Sequence, residues 1–221
     1  GYDLTRLFVG SEGTLGVIGE LTIRLHGIPA AIAAASCSFP TVDAACRATI
    51  LAMQSGIPLA RIELLDEIQV KACNAYSKLS LPETTLLLLE FHGNESEVAS
   101  QSERFGEIAR ECDGGNFAWT TKAEDRTLLW QARHDEAWAG QALRPGSKII
   151  ATDACVPISR LAECVSETQA DVADSGFIAP ILGHVGDGNF HLTLLVDMAD
   201  QDEIVRAKKL TQRLAERALR M

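Results

Sequence analysis

The sequence predicts an α+β fold in which helices pack on one face of a mostly antiparallel sheet. Apolar runs of strand length alternate with segments whose apolar residues recur every three or four positions, as they do along one face of a helix. Late in the chain, Asp187-Gly188 separates two strand-like runs, which is a strong signal for a tight hairpin. Short strands joined by a hairpin favour antiparallel pairing over a doubly wound parallel sheet.

The composition bounds the class of protein. The chain has 221 residues, 47% of them hydrophobic, enough for one large domain or two small ones. A formal net charge of −10 argues against a nucleic-acid partner and against an anionic membrane surface. No apolar run approaches the roughly 20 residues of a membrane span, and the first residues show no signal-peptide pattern. The six cysteines form no C-x-x-C pair, which is typical of buried thiols in a reducing compartment.

Residues 1–27 are predicted to form a loop, a glycine-rich turn and a strand at Glu20–Leu25. Closely spaced glycines let a backbone approach a ligand and offer N–H groups to an anion, but they also suit a plain tight turn. The segment Gly27-Ile28-Pro29 predicts a domain boundary. The chain opens on Gly1 and closes on Met221 within patterned segments, so both ends are interpreted as cut.

The remaining elements follow from periodicity and end signals. Thr41 is a helix cap, and Gly56 and Pro58 end the helix that it begins. Leu86–Leu89 is a fully apolar block of strand length. The predicted strands are 33–39, 84–91, 117–121 and 149–156, and the predicted helices are 41–54, 61–77, 95–112, 123–143, 159–175 and 202–220.

The hairpin carries the first candidate site. If Asp187 and Gly188 form a two-residue turn, His184 pairs directly with His191, with Cβ atoms about 5 Å apart on one sheet face. Two imidazoles at that spacing can share a metal ion, so the pair predicts a metal site. Thr193 lies two residues beyond His191 on the same face, and its hydroxyl can reach the same ligand. Two histidines alone leave a transition-metal site incomplete.

A second group of candidates is basic. Trp130 and Arg133 share one helix face, and the planar fork of an arginine binds a carboxylate with two hydrogen bonds. Lys148 opens a strand and can add a second positive charge. A surface salt bridge for the arginine and a solvated lysine remain the plainer alternatives. Four other polar residues receive no role: Glu63, Asp66, Glu90 and His92.

These motifs resemble a known family. Residues 8–18 (FVGSEGTLGVI) and 183–191 (GHVGDGNFH) resemble paired signatures of the flavin-linked 2-hydroxyacid dehydrogenases with a vanillyl-alcohol-oxidase-type fold. The stretch between them is similar to the cytochrome-type D-lactate dehydrogenases within that family. The segments that carry this similarity are RIELLDE (61–67), ACNAYSKL (72–79), LEFHG (89–93), LWQARH (129–134) and TDACVPISRL (152–161).

The resemblance implies a domain division and a cofactor. Residues 1–27 would be the C-terminal end of an FAD-binding domain, and residues 28–221 a substrate-binding cap domain with ferredoxin-like subdomains, truncated at its C-terminus. FAD would be bound mostly by a domain that this chain lacks. The flavin contacts expected to remain here are Glu12, Gly13, Gly16 and Ile18.

The resemblance also implies roles at the site. His184 and His191 match metal-binding histidines, with zinc or manganese as the usual occupant, and His191 counts among the catalytic residues together with Arg133 and Lys148. Arg133 and Lys148 match positions that hold the substrate carboxylate, with Thr193 beside them. The family's third metal ligand is a glutamate further downstream, beyond the end of this chain.

The expected reaction is oxidation of a small D-2-hydroxy acid, D-lactate to pyruvate. Hydride passes to FAD, and electrons pass on to cytochrome c or a quinone. Ala137 and Thr193 depart from the pattern of hydroxyglutarate-specific relatives, which favours a small substrate. The alternatives are the glycolate oxidase component of the same architecture, D-2-hydroxyglutarate dehydrogenase and a non-catalytic docking domain. A homodimer is possible. Family members are cytoplasmic, sometimes peripheral to the inner membrane, or mitochondrial in eukaryotes.

Overall fold

A computed structural model describes residues 1–221 as one antiparallel sheet with helices on both faces. The antiparallel sheet of the predicted α+β fold is confirmed. The helices are α1 (Leu4–Leu7), α2 (Val42–Gln54), α3 (Glu67–Ser77), α4 (Glu95–Glu111), α5 (Ala123–Ala142), α6 (Leu161–Ser175) and α7 (Gln201–Arg220). The strands are β1 (Ala31–Phe39), β2 (Leu59–Leu65), β3 (Thr85–Gly93), β4 (Gly115–Thr120), β5 (Lys148–Ala151), β6 (Ala154–Cys155), β7 (Ile181–Gly183) and β8 (Asn189–Val196).

The sheet consists of two ferredoxin-like halves. Its strand order is β4-β1-β3-β2-β7-β8-β5, and β6 pairs with β8 off this path. The first half, β1-α2-β2-β3-α4-β4 with α3 inserted, has the split βαβ arrangement. The second half repeats three of these strands. Its spatial order β5-β8-β7 corresponds to the order β1-β3-β2 of the first half. The predicted ferredoxin-like subdomains are therefore present.

The two faces of the sheet have separate cores. The larger core holds alternate residues of the strands together with buried residues of α2, α4, α6 and α7. The smaller core lies on the opposite face, where α3 and α5 contribute Val70, Cys73, Trp130 and Ala132. This second layer differs from the predicted one-sided arrangement. It forms because α3 and α5 pack apolar residues against the strand residues that point away from the larger core.

Side-chain caps define where several helices begin. Thr41 Oγ1 accepts from Ala44 N at 3.1 Å, as predicted for the start of α2. Asn94 and Glu97 form a capping box at the start of α4.

No helix of the structure is both long enough and apolar enough to cross a membrane.

The two halves meet along a short seam between β2 and β7. Only Leu64 with Gly183 and Leu65 with Leu182 pair across it. Asp66 extends the seam, since its N–H donates to Ile181 O and its Oδ2 accepts from Ile181 N, both at 2.9 Å. Its other carboxylate oxygen caps α3 by accepting from Gln69 N at 2.8 Å. One buried side chain thus fixes both a helix start and the junction of the halves.

The prediction of a helix over 61–77 was wrong in its first part. Residues 59–65 form β2, and the helix begins only after Asp66. Apolar residues at 62 and 65 satisfy a helical spacing, but Ile62 and Leu64 also alternate as a strand does. Pairing with β3 on one side and β7 on the other decides for the strand. The predicted strand 149–156 is likewise divided into β5 and β6.

Residues 1–30 form an exposed arm. Its hydrogen bonds link arm residues only to one another, and apart from α1 it contains no regular element. The strand predicted at Glu20–Leu25 is absent, because no neighbouring strand offers partners to its backbone groups. Leu21, Ile23 and Leu25 are all more than half exposed.

Candidate functional site

The candidate site lies on the face of the sheet covered by α5. Ile62 and Leu64 point into the larger core, so the intervening Glu63 points to the other face. There it is only 6% exposed, and Arg133 from α5 reaches it. His184 reaches it from the segment that follows β7. The carboxylate of Glu63 is therefore the meeting point of three elements. These are β2, α5 and the loop that follows β7.

The contacts at this point form one connected cluster. Arg133 Nε donates to Glu63 Oε2 at 3.1 Å, and His184 Nδ1 lies 2.7 Å from Glu63 Oε1. Arg133 Nη2 lies 3.3 Å from His184 Nε2. Arg133 Nη1 also binds Glu136 Oε1, one turn further along α5. The guanidinium is thus shared between two carboxylates and one imidazole.

Glu136 has an unusual environment. The pKa of its carboxyl is raised from the ordinary 4.5 to about 7, mainly by burial and also by neighbouring Glu63, while Arg133 opposes the shift. Its second oxygen, Oε2, is buried without a hydrogen-bond partner. The site therefore contains a carboxyl group that exchanges its proton near neutral pH.

The hairpin differs from its predicted register. Leu182, not His184, is the residue opposite His191. A single 3₁₀ turn, Val185–Asp187, links the strands, and Gly188 follows with φ +75° in place of the predicted two-residue turn. Gly183 has φ +155°, and a Cβ there would lie 2.5 Å from Phe190 Cα, so close packing of the two backbones sets this geometry.

The two histidines still meet, although they are not cross-strand partners. Their ring centroids are 5.5 Å apart and their planes are nearly perpendicular at 87°. His191 Nδ1 lies 3.2 Å from the carbonyl of Thr152 and His184 Nδ1 lies beside Glu63. Both partners can only accept, so each Nδ1 carries a proton, and in the neutral ring each Nε2 then keeps a lone pair. This is the tautomer in which imidazoles bind metals through Nε2.

The fit of these residues to a metal is partial. Two imidazole Nε2 atoms with hydrogen-bonded Nδ1 atoms suit zinc or manganese. No group of three or more His, Cys, Asp or Glu side chains in the chain is arranged to hold a metal ion. Glu63 binds the far side of the His184 ring, so it supports that ring and does not complete the ligand set.

The structure separates the remaining predicted substrate residues. Thr193 lies on the same face as His191, and its hydroxyl donates to Pro180 O at 3.3 Å. Lys148 pairs with Val196, and both lie on the face of the larger core, where Ile150 also packs. Lys148 is therefore on the opposite face of the sheet from His191, and the structure does not bring it to Arg133.

The predicted flavin contacts lie in the exposed arm. Glu12 and Gly13 form a turn with positive φ values of 49° and 77°, and a Cβ at Gly13 would meet nothing within 4 Å. A Cβ at Gly16 would lie 3.7 Å from the ring of Phe8, and Ile18 is 61% exposed. The backbone of this turn is open to a ligand, which suits a cofactor held by another domain.

Sequence reasoning missed Glu63 and Glu136. Glu63 was given no role because it fell near the end of a predicted element, whereas it lies inside β2, whose alternation turns it toward Arg133. Glu136 follows Arg133 at the helical spacing of three, and this spacing was the available signal. A pocket of about 220 Å³ is lined by Glu63 and His184 but not by Arg133 or His191, so it lies beside the cluster.

Comparison with known proteins identifies the class. The chain belongs to the family described as FAD linked oxidases, C-terminal domain, which matches residues 28–221. It is therefore part of the FAD-linked oxidoreductases.

Individual curated proteins and solved structures are also similar to this chain. The chain is 49% identical over its whole length to the probable D-lactate dehydrogenase, mitochondrial, of Danio rerio, and covers 44% of that protein. It is 40% identical over its whole length to D-lactate dehydrogenase [cytochrome], mitochondrial, of Arabidopsis thaliana, covering 39%. The chain thus spans less than half the length of these relatives. Among solved structures, alkyldihydroxyacetonephosphate synthase shares the fold, with a TM-score of 0.63 and 18% identity over 99% of this chain and 45% of that one.

Proposed function

We propose that the chain is the substrate-binding part of an FAD-linked dehydrogenase that oxidises a small D-2-hydroxy acid, with D-lactate, giving pyruvate, as the first candidate. The names of the two relatives described above support D-lactate. The single observation that carries the proposal is the contact between Arg133 Nη2 and His184 Nε2 at 3.3 Å. It puts the guanidinium of Arg133 directly beside the imidazole of His184.

That juxtaposition matches the two functional groups of a 2-hydroxy acid. The carboxylate binds the guanidinium of Arg133, which offers a charged, planar pair of donors. The hydroxyl on the next carbon then falls beside the imidazoles of His184 and His191. Thr193 lines the same face. The substrate is thus held at two adjacent groups, which fixes its Cα.

Two cofactors complete the proposal. FAD, when bound, supplies the two-electron oxidation by accepting hydride from the substrate carbon. A divalent metal, zinc or manganese, when bound at His184 and His191, lowers the pKa of the substrate hydroxyl. Glu12, Gly13, Gly16 and Ile18 are the proposed flavin contacts. His191 is proposed as a catalytic residue at the hydroxyl.

The proposed partners follow from the same reaction. Electrons leave the reduced enzyme to an acceptor such as cytochrome c or a quinone. The mitochondrial names of the relatives support a mitochondrial protein if the source is eukaryotic. A homodimer is proposed as the assembly.

The test is a substrate screen of the full-length protein that carries this chain. D-lactate, L-lactate, glycolate and D-2-hydroxyglutarate are compared with an artificial electron acceptor, and kcat/KM is measured for each. We expect the highest value for D-lactate, little turnover of L-lactate, and a large loss for every substrate in the His191→Ala variant. Preference for glycolate or hydroxyglutarate would replace the substrate assignment. Absence of turnover with all four would favour a docking role.

A further inference from the structure

We propose that Glu63 is the positioning residue of this site, and that it fixes His184 and Arg133 as a single unit. The inference rests on the proposed function, because it assigns a role within that same substrate site. Glu63 is held in the middle of β2, where β3 and β7 flank its strand, so its carboxylate has a fixed origin. The two groups that it binds come from a helix and a loop.

The contacts of Glu63 use both of its oxygens. Oε2 accepts from Arg133 Nε at 3.1 Å, and Oε1 accepts from His184 Nδ1 at 2.7 Å. Glu63 thus binds Arg133 through Nε and His184 through Nδ1. Nη2 of the arginine and Nε2 of the histidine remain toward each other, 3.3 Å apart. The carboxylate therefore sets the spacing between the group that receives the substrate carboxylate and the group that receives its hydroxyl.

The contacts of His184 also point to one tautomer. A carboxylate can only accept, so Nδ1 donates to Glu63, and Arg133 Nη2 can only donate, so the Nε2 atom that it faces keeps its lone pair. Such carboxylate–imidazole pairs orient ring nitrogens that bind metals, and their loss typically costs 10- to 100-fold in metal affinity or activity. Glu63 itself does not touch the substrate or a cofactor; it acts through the two side chains it holds.

Glutamine is the informative substitution at this position. It has nearly the shape of glutamate but one acceptor and one donor in place of two acceptors. If its oxygen stays on Arg133, its amide donates to His184 Nδ1, and the proton of the ring must move to Nε2. If its oxygen turns to His184, its amide faces the Nε–H of Arg133 and the arginine is released. Either way the unit is broken without a cavity.

The chain offers a matched control in Glu90. This carboxylate lies on the neighbouring strand β3 and is 6% exposed, as Glu63 is. It too pairs with a histidine, His92 Nε2 at 2.7 Å, and lies 3.6 Å from an arginine, Arg61 Nε. Neither of those partners belongs to the proposed site. Loss of a buried, paired carboxylate is thus common to both variants, and loss of the site's spacing belongs to Glu63 alone.

The experiment compares Glu63→Gln with Glu90→Gln in the full-length protein. Nitrogen-15 NMR of the histidine rings, in protein stripped of metal by a chelator, reports which nitrogen of His184 is protonated. We expect Nδ1–H in the unaltered protein and in Glu90→Gln, and an Nε2–H ring or an exchanging ring in Glu63→Gln. Zinc affinity and kcat/KM for D-lactate should both fall about 10- to 100-fold in Glu63→Gln only.

The outcomes separate this inference from the proposed function. An unchanged His184 tautomer and unchanged zinc affinity in Glu63→Gln would overturn the positioning role, even in an active enzyme. A protein that oxidises no 2-hydroxy acid would overturn the proposed function, while the ring protonation would still report on Glu63. If Glu63→Gln fails to fold, Glu63→Asp is the second variant. Aspartate keeps the charge, but its side chain is one methylene shorter and cannot reach both partners. The same losses of zinc affinity and kcat/KM are therefore expected.

Discussion

Glu63 and His184 are joined by a 2.7 Å contact although 121 residues separate them in the sequence. The contact crosses the seam between the two ferredoxin-like halves, since Glu63 belongs to β2 and His184 follows β7. The site therefore exists only when both halves are folded and joined.

Arg133→Lys should weaken substrate binding more than it weakens the fold. Lysine keeps the positive charge between Glu63 and Glu136 but lacks the planar fork. Loss of one charged hydrogen bond costs about 1.5–3 kcal/mol, or roughly 10- to 150-fold in binding. The measurement is KM for D-lactate beside the midpoint of urea unfolding. A variant with unchanged KM would remove Arg133 from the substrate site.

Glu136→Gln should flatten the pH dependence of stability. The pKa of Glu136 is raised from 4.5 to about 7 in the folded protein. Between these values the folded chain holds a proton that the unfolded chain has released, so the free energy of unfolding falls as pH rises through this window. The contribution is on the order of 1–3 kcal/mol.

The measurement is urea unfolding at intervals between pH 4 and 8. Burial also raises the pKa of Asp66 to about 7, so the unaltered protein contains both effects with the same sign. The difference between the unaltered protein and Glu136→Gln isolates the part that belongs to Glu136. Parallel curves for the two proteins would contradict the raised pKa.

Asp66→Ala should destabilise the seam. It leaves the N–H groups of Gln69 and Ile181 without their carboxylate partner in a buried place, at a cost of about 2–4 kcal/mol. Thr41→Ala is the control, because it removes a single cap from the start of α2 and should cost about 1 kcal/mol. Denaturant unfolding of both variants checks the difference, and equal losses would show that the bond to Ile181 contributes nothing.

Gly188→Ala should distort the hairpin. Gly188 has φ +75°, and a Cβ there would lie 2.1 Å from the carbonyl oxygen of Val156. Gly176 has nearly the same φ, +73°, with nothing within 4 Å of its Cβ position. Gly176→Ala should therefore cost only the backbone strain, about 1–2 kcal/mol, and Gly188→Ala should cost more. Thermal unfolding compares them, and the clash is refuted if the two midpoints fall equally.

The elements that local signals define were predictable from the sequence. The cap at Thr41, the apolar block around Leu86–Leu89 and the stripe of the last helix gave α2, β3 and α7 within a few residues. The 61–77 segment failed, because a spacing that fits a helix also fits a strand followed by a helix. Which one forms depends on partners that lie far away in the chain.

The site was predictable only in part, for the same reason. Turn signals brought His184 close to His191, but a 3₁₀ turn in place of a two-residue turn shifted their register. The sequence offered Arg133 as a candidate for binding a carboxylate, with a surface salt bridge as the plainer alternative. Its contact with Glu63 spans 70 residues, and no local pattern encodes a partner at that range.

The repeated architecture has a consequence for how such a site is built. β2 and β7 hold equivalent places in the two halves and run antiparallel beside each other. Two identical copies of one unit, joined in this way, would have to offer the same side chain from both sides. Because one continuous polypeptide contains both units, each can be altered alone. A carboxylate on the first and an imidazole on the second can then face each other, giving an asymmetric centre within a nearly symmetric frame.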